Sequence, residues 1–388
     1  MSEKVVDAVR DLLPAFEQRA QEAEDARRIP TASIEALAET GFFGLLQPKR
    51  FGGFETDPVT FYTAVRMIAS ACGSTGWVSS VLGVHPWQLS LFPEQAQTDV
   101  WGEDPHTRIS SSYAPTGKAQ LVDGGVRLSG RWSFSSGCDH ATWVLLGGIV
   151  TDGEGNQVDF RTFLVPLGDY RIEDVWDTVG LRGTGSNDIV VDDVFVPDHH
   201  SLSFADTSRC VCPGQEVNDA PLYRLPFGSV FSYSITTPII GMAQGAYDSH
   251  VGYMKERVRV SYGKVKAAED PFSQVRIADA ASEIDAAWLQ LENNIGQLMR
   301  YAGAGEKIPM SLRLQVRRDQ VRGTTRSIHA VDRLFENSGG RALATGTPIQ
   351  RYWRDAHAGR VHAINDPERA LSLYGSAELG LKVHEAML

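Results

Sequence analysis

The chain has 388 residues, more than one ordinary hydrophobic core holds, so two or three packing units are expected. It is 42% hydrophobic and 22% charged, the balance of a soluble globular protein, and its net charge of -11 argues against an electrostatic grip on nucleic acid or anionic lipid. No uncharged apolar stretch reaches the roughly 18 residues of a membrane helix, and the opening MSEKVVDAVRDLLP lacks the basic-then-apolar order of a signal peptide. A cytoplasmic protein with a small, largely neutral ligand and no nucleic-acid or membrane partner is expected.

From Val5 to about Leu46 apolar residues recur at helical steps: Val5, Val9, Leu12, Phe16, then Ile34 and Leu37, with Gly41 as a helix stop. After the turn-rich PKRFGGFETD, Phe61, Val65, Ile68 and Ala69 continue the period into CGSTGWVSSVLGVHPW. Residues 1–107 therefore read as a helical N-terminal domain. From 108 to 215, VRLSGRWSF, ATWVLLGGIV, DFRTFLVPL and DIVVDDVFVP are short β-branched or aromatic runs between Gly, Asp and Asn, as antiparallel strands are. From 216 to 388 the helical period returns, clearest at Ile277, Ile284, Trp288, Leu291 and Ile295. The fold class is α+β in the order helical, β, helical.

Several familiar markers are missing from this frame. No G-x-G-x-x-G, G-x-x-x-x-G-K-[ST] or G-x-S-x-G occurs, so a dinucleotide-binding unit, phosphoryl transfer and serine hydrolysis are unsupported. Cys72, Cys138, Cys210 and Cys212 form neither a disulfide framework nor paired metal knuckles, and His357 and His362 are wrongly spaced for one helix face, so no metal is expected.

The densest stretch is GRWSFSSGCDHATW, residues 130–143. Alternation along a strand would put Trp132, Phe134 and Ser136 on one face, two aromatics and a hydroxyl able to flank a flat heterocycle, although such faces also pack as ordinary core. His85 in GVHPW and His362 in RDAHAGRVHAIND are either acid/base groups or satisfied structural histidines. Arg257 and Arg259 in KERVRVSYGK suit a phosphate-bearing tail or are simply solvated.

Together these pieces resemble the acyl-CoA dehydrogenase fold over nearly the whole chain. LLQPKRFGGFETD is similar to the N-terminal proline and double-glycine turn, GRWSFSSG to the flavin-facing strand, and LFENSGGRALATGTPIQRYWRD to the C-terminal double-glycine segment before Arg-Asp. The architecture implied is a helical N-terminal domain, a central antiparallel β-barrel-like domain and a C-terminal helical bundle, assembled as a homotetramer with flavin sites shared between subunits. Where the dehydrogenases carry a catalytic glutamate, this chain reads RDAHAGRVHAIND, with His362 and Ala363 near that place. That departure resembles the flavin-dependent monooxygenases of the same fold. CGSTGWVSS, WGEDPHTRISSSYAP, SSGCDHATW and VGLRGTGSN look like the branch that hydroxylates phenolic secosteroids in actinobacterial steroid degradation.

The resemblance implies an oxygenase component that takes reduced flavin (FADH2 or FMNH2) from a separate NAD(P)H-dependent flavin reductase. With O2 it would form a C4a-hydroperoxyflavin and hydroxylate a small aromatic substrate ortho to its hydroxyl. An indole or polyketide aromatic is the alternative substrate; a flavin dehydrogenase or a homologue without turnover are the rival classes. Carried over residue by residue, Trp77, Ser111, Ser112, Tyr113, Phe134, Ser135, Ser136, Arg257, Gly340, Arg341, His362 and Ala363 would contact flavin, and Arg259 its pyrophosphate. Ser136 would stabilise the oxygen adduct, His85 would take the phenol proton, and His362 with Arg257 would hold the peroxide, or these last two roles are exchanged. Cys138 and His140 are read as structural, and residues 209–235 as shaping the cavity mouth.

Overall fold

The computed structural model describes residues 2–259 and 265–383, with Arg259 and Val265 described by their backbone alone. The chain opens with six helices: α1 (Ser2–Gln18), α2 (Ala20–Ala26), α3 (Thr31–Glu39), α4 (Pro58–Ala71), α5 (Gly73–Leu89) and α6 (Glu94–Trp101). The apolar spacing is realised as packing, since Val5, Val9 and Phe16 of α1 and Phe61, Val65 and Ile68 of α4 are all buried. Helix α4 starts at Pro58 because Asp57 caps it, its carboxylate accepting from the Val59 N–H at 2.8 Å. All seventeen residues of α5 are buried, which its small residues permit: a Cβ at Gly76 would stand 2.3 Å from the Ala69 Cβ. Gly41 does end a helical stretch, with φ 85° in the left-handed region that favours glycine.

Seven strands follow: β1 (Ile109–Val122), β2 (Gly125–Ser135), β3 (Trp143–Thr151), β4 (Gln157–Pro166), β5 (Arg171–Glu173), β6 (Asn187–Pro197) and β7 (Ser201–Ser203). They form one sheet in the order β5-β6-β2-β1-β3-β4-β7. Every pairing in it is antiparallel, as expected, except the central pair, where β1 runs parallel to β3 with Ser111 opposite Leu145. The sheet has its own apolar core, built from residues such as Leu128, Val144, Phe163 and Ile189.

Trp132 belongs to that core and corrects the simple alternation along β2. It is fully buried and donates its indole N–H to the Gly147 carbonyl at 2.7 Å. Glycines make the room: a Cβ at Gly117 or Gly130 would lie 2.1 or 2.8 Å from the Trp132 ring. The β2–β6 pairing slips between Trp132 and Ser135, and Phe134 sits at φ 69°. Trp132 therefore points into the sheet core while Phe134 turns outward, 68% exposed.

A short helix α7 (Phe204–Arg209) leads to the C-terminal helices α8 (Phe227–Glu256), α9 (Pro271–Gly303), α10 (Met310–Ser338), α11 (Pro348–Arg360) and α12 (Pro367–Glu378), with a two-stranded ribbon, β8 (Val258–Arg259) and β9 (Val265–Lys266), after α8. Ile284, Trp288, Leu291 and Ile295 of α9 are buried as their spacing implied. No helix among the described residues is long and apolar enough to cross a membrane.

Candidate active site

One cavity of about 740 Å³ opens where β1 and β2 meet α5, α8 and the segment after α11. Its size is that of a site for one or more small molecules. Trp77 of α5, Ser111, Ser112 and Tyr113 of β1, Phe134 and Ser136 at the end of β2, and His362 and Ala363 beyond α11 all line it. Segments distant in sequence thus converge at one place. Among the described residues none that lines it is a carboxylate; the charged groups there are Arg317 and Arg369.

Ser136 lies within hydrogen-bond reach of two other lining residues. The Trp77 indole N–H donates to its Oγ at 3.1 Å, and its Oγ is 2.7 Å from the Oγ of Ser186. Phe134 stands nearly perpendicular to Trp176 across 6.1 Å. A left-handed phenylalanine is a strained conformation, and such strain persists where surrounding structure holds it.

His362 precedes a short 3-10 turn at Ala363–Asn365 and caps it, its Nδ1 accepting from the Ile364 N–H at 3.2 Å. With Nδ1 used as acceptor, the neutral ring carries its proton on Nε2 and is a donor there. Burial, then the charge of nearby Arg317, lowers its pKa to about 4, so the ring is neutral at physiological pH. Its ring centre lies 6.1 Å from Trp77 and 6.4 Å from Phe231.

His85 is fully buried and does not line the cavity. It stands behind Tyr113, with ring centres 6.4 Å apart. Its Nδ1 donates to the Ile109 carbonyl at 2.6 Å, leaving Nε2 unprotonated and without a partner among the described residues. Burial, partly offset by that carbonyl, lowers its pKa to about 4. Tyr113 donates its hydroxyl to the Gln88 side chain, and burial holds its pKa above the ordinary value.

Other expectations are displaced. Ser135 points away from the cavity, fully buried and 3.3 Å from the Ser110 hydroxyl, on the side opposite its neighbours Phe134 and Ser136. Arg257 follows the last residue of α8, and its guanidinium donates to the carbonyls of Asn337 and Ser338 at 3.0 and 2.8 Å. Phe231 of the same helix lines the cavity, and the 26 residue steps between them span about 39 Å at 1.5 Å each, so Arg257 cannot reach His362 within one chain. Gly340 and Arg341 are exposed near that far end, where a Cβ at Gly339 would meet the Arg257 guanidinium at 2.8 Å. The Arg259 side chain lies outside the described residues. Cys138 and His140 are buried beside the cavity wall without lining it.

The residues that sequence reasoning missed are mainly aromatic and hydroxylic. Phe227, Phe231 and Ile235 recur every four residues along one face of α8, and a helical reading of RLPFGSVFSYSI would have marked that face. They fall within the 209–235 stretch suspected of shaping the mouth. Phe160 and Phe204 stack at 4.3 Å against the same wall. Ser186, in VGLRGTGSN, carried no periodic signal.

Residues 2–103 match the acyl-CoA dehydrogenase N-terminal domain and residues 233–367 its C-terminal domain. The chain is similar to the oxygenase subunit HsaA of a flavin-dependent monooxygenase from Rhodococcus jostii strain RHA1, with 59% identity over 97% of this chain and 98% of that one. The HsaA oxygenase subunit of Mycobacterium tuberculosis strain H37Rv is 53% identical over 100% of this chain and 98% of its own. Among solved structures, the 3-HSA hydroxylase of Rhodococcus sp. RHA1 superposes with a TM-score of 0.96 at 58% identity, covering 99% of both chains.

Proposed function

This chain belongs to the flavin-dependent monooxygenases of the acyl-CoA dehydrogenase fold, and from that membership we propose that its substrate is a phenolic secosteroid, hydroxylated ortho to the phenol to give a catechol. It is an oxygenase component whose co-reactants are reduced flavin and O2, and its substrate is aromatic. A separate NAD(P)H-dependent reductase is proposed as the source of reduced flavin.

The observation that favours oxygenation over dehydrogenation is that none of the described residues lining the cavity is a carboxylate. Desaturation beside a thioester needs a base for the α-proton, and where the dehydrogenases hold theirs this chain offers a neutral imidazole with its proton facing out on Nε2. The cavity fits a flavin ring: the indole of Trp77 and the ring of Phe134 supply flat apolar walls, and the hydroxyls of Ser111, Ser112 and Ser136 supply a polar edge. When bound, reduced flavin supplies the electrons with which one atom of O2 is delivered to the aromatic ring.

The chain's own residues hold and orient the reactants. The aromatic walls from α8 exclude water, which limits wasteful release of peroxide. His362 donates a hydrogen bond from Nε2 to an oxygen held in the cavity. His85 keeps a bare Nε2 but stands behind the Tyr113 ring, outside the cavity, so it would take up the phenol proton only through an intervening group. Arg257, Gly340 and Arg341 would serve a flavin only from a neighbouring copy, in keeping with a homotetramer that shares its sites.

The test is to supply the protein with chemically reduced FAD or FMN, O2 and a panel of phenols and indoles. Ortho-hydroxylation of a phenolic secosteroid, in preference to one-ring phenols and indole, is expected. Preferential turnover of indole would replace the substrate assignment.

A further inference from the structure

The hydroxyl chain behind Ser136 has a direction, and the direction decides what Ser136 can offer a ligand. At its far end the Thr184 Oγ1 lies 2.9 Å from the Leu181 carbonyl, which can only accept, so the single Thr184 hydroxyl hydrogen goes there. The Thr184 and Ser186 hydroxyls are 2.6 Å apart, so Ser186 must be the donor to Thr184. Ser186 has then spent its hydrogen, and across the 2.7 Å contact Ser136 must donate to Ser186. The Trp77 N–H fills one acceptor position on Ser136 at 3.1 Å. What Ser136 turns to the cavity is its remaining lone pair.

The Leu181 carbonyl also accepts from the Thr184 backbone N–H at 3.1 Å, but reversing the chain would leave the Thr184 Oγ1 2.9 Å from that carbonyl oxygen with no hydrogen between them, two oxygens in repulsive contact. Thr184 is buried and does not line the cavity, so water does not offer it a substitute partner. The anchor is also fixed: the Leu181 carbonyl accepts from the Trp176 indole at 2.9 Å, and the Leu181 N–H donates to the Asp355 carboxylate at 2.6 Å.

We infer that Ser186 and Thr184 are positioning residues that hold Ser136 as a hydrogen-bond acceptor and so make the site select reduced over oxidised flavin. The inference rests on the reading that Ser136 meets the N5 edge of the flavin. Reduced flavin carries a hydrogen on N5 and donates there; oxidised flavin has a bare nitrogen that needs a donor. An oriented acceptor favours the first and opposes the second, which suits a protein that must receive reduced flavin and let the oxidised form leave.

The experiment is binding, not turnover. The dissociation constants of FAD and FMN are measured in both redox states, the reduced state anaerobically, for the unaltered protein and for Ser136→Ala, Ser186→Ala and Ser186→Thr. Ser186→Ala frees the Ser136 hydrogen to swing into the cavity. It is expected to shift the oxidised-to-reduced preference at least fivefold toward oxidised flavin, while Ser186→Thr, which keeps a hydroxyl, restores the original ratio. If Ser136→Ala changes the ratio and Ser186→Ala does not, or if Ser186→Ala weakens both redox states equally, the relay is refuted. If Ser136→Ala leaves both constants unchanged, Ser136 does not meet the flavin and the underlying reading fails with it.

Discussion

Acidification from pH 7 to pH 5 should destabilise this protein, by an amount set mainly by four buried groups. Burial lowers the pKa of His85, His140 and His362 from 6.5 to about 4. Each folded value lies below its unfolded one, so between about pH 4 and 6.5 the unfolded chain takes up a proton that the folded chain refuses. Stability present at pH 7 is therefore lost as the pH falls, by about 1.8 kcal/mol per imidazole over these two units. Asp355 acts in the opposite sense. Burial, only partly offset by the Leu181 N–H, raises its pKa from 3.8 to about 6, so the folded state protonates first and recovers about 1.3 kcal/mol on the way to pH 5. A net loss on the order of 4 kcal/mol remains. Equilibrium urea unfolding followed by tryptophan fluorescence at pH 7, 6 and 5 measures it. Asp355→Asn keeps an oxygen for the Leu181 N–H and removes the opposing titration, so its loss should be steeper by about 1 kcal/mol. Stability that is flat or rises toward pH 5, or a shallower slope in Asp355→Asn, would refute the assignment of neutral buried histidines.

Three substitutions probe the site itself. Phe134→Gly relieves a left-handed strain of about 1–2 kcal/mol while adding about 0.4–1 kcal/mol of chain entropy, so thermal stability should change by less than about 1 kcal/mol even as flavin affinity falls severalfold. A loss of about 3–5 kcal/mol would instead mark Phe134 as ordinary core. Gly359→Ala places a Cβ 2.9 Å from the Trp77 ring and 3.1 Å from Ile239. It should cost about 1–3 kcal/mol in a melting experiment and weaken flavin binding through the displaced indole; unchanged binding would remove Trp77 from the account. His85→Asn retains an N–H for the Ile109 carbonyl but no basic nitrogen, so the hydroxylation rate of a phenol should fall about 10²-fold with reduced-flavin affinity unchanged. Full activity across pH 6–9 would exclude His85 as the phenol base.

Much of the architecture was legible because it rests on periodicity. The spacing of Val5, Val9 and Phe16 and of Ile284, Trp288, Leu291 and Ile295 states which helix faces are covered, and those faces are buried. Strand patterns carry no direction, so the parallel β1–β3 pair could not be read from them. Alternation predicted a face shared by Trp132, Phe134 and Ser136, and it failed at Trp132 because Gly117 and Gly130 open the sheet core to an indole. Ser135 is hidden by ordinary alternation, its neighbours Phe134 and Ser136 both lining the cavity. The distance of Arg257 from this chain's own cavity was not legible, because residue type indicates phosphate chemistry but says nothing of the 39 Å or so of helix between it and Phe231. Ser186 and Thr184 gave no signal at all: small hydroxyls in a glycine-rich turn acquire meaning only when three-dimensional contacts fix which of them donates.

The most direct test of the central claim is a single-turnover reaction. The protein is loaded anaerobically with reduced FAD or FMN, mixed with a phenolic secosteroid and ¹⁸O2, and analysed for catechol, labelled oxygen and H2O2. The account predicts a catechol carrying one ¹⁸O atom, with little H2O2 until the cavity is altered. Flavin oxidation that yields only H2O2 with every phenol, or reduction of oxidised flavin by a substrate in the absence of O2, would contradict it.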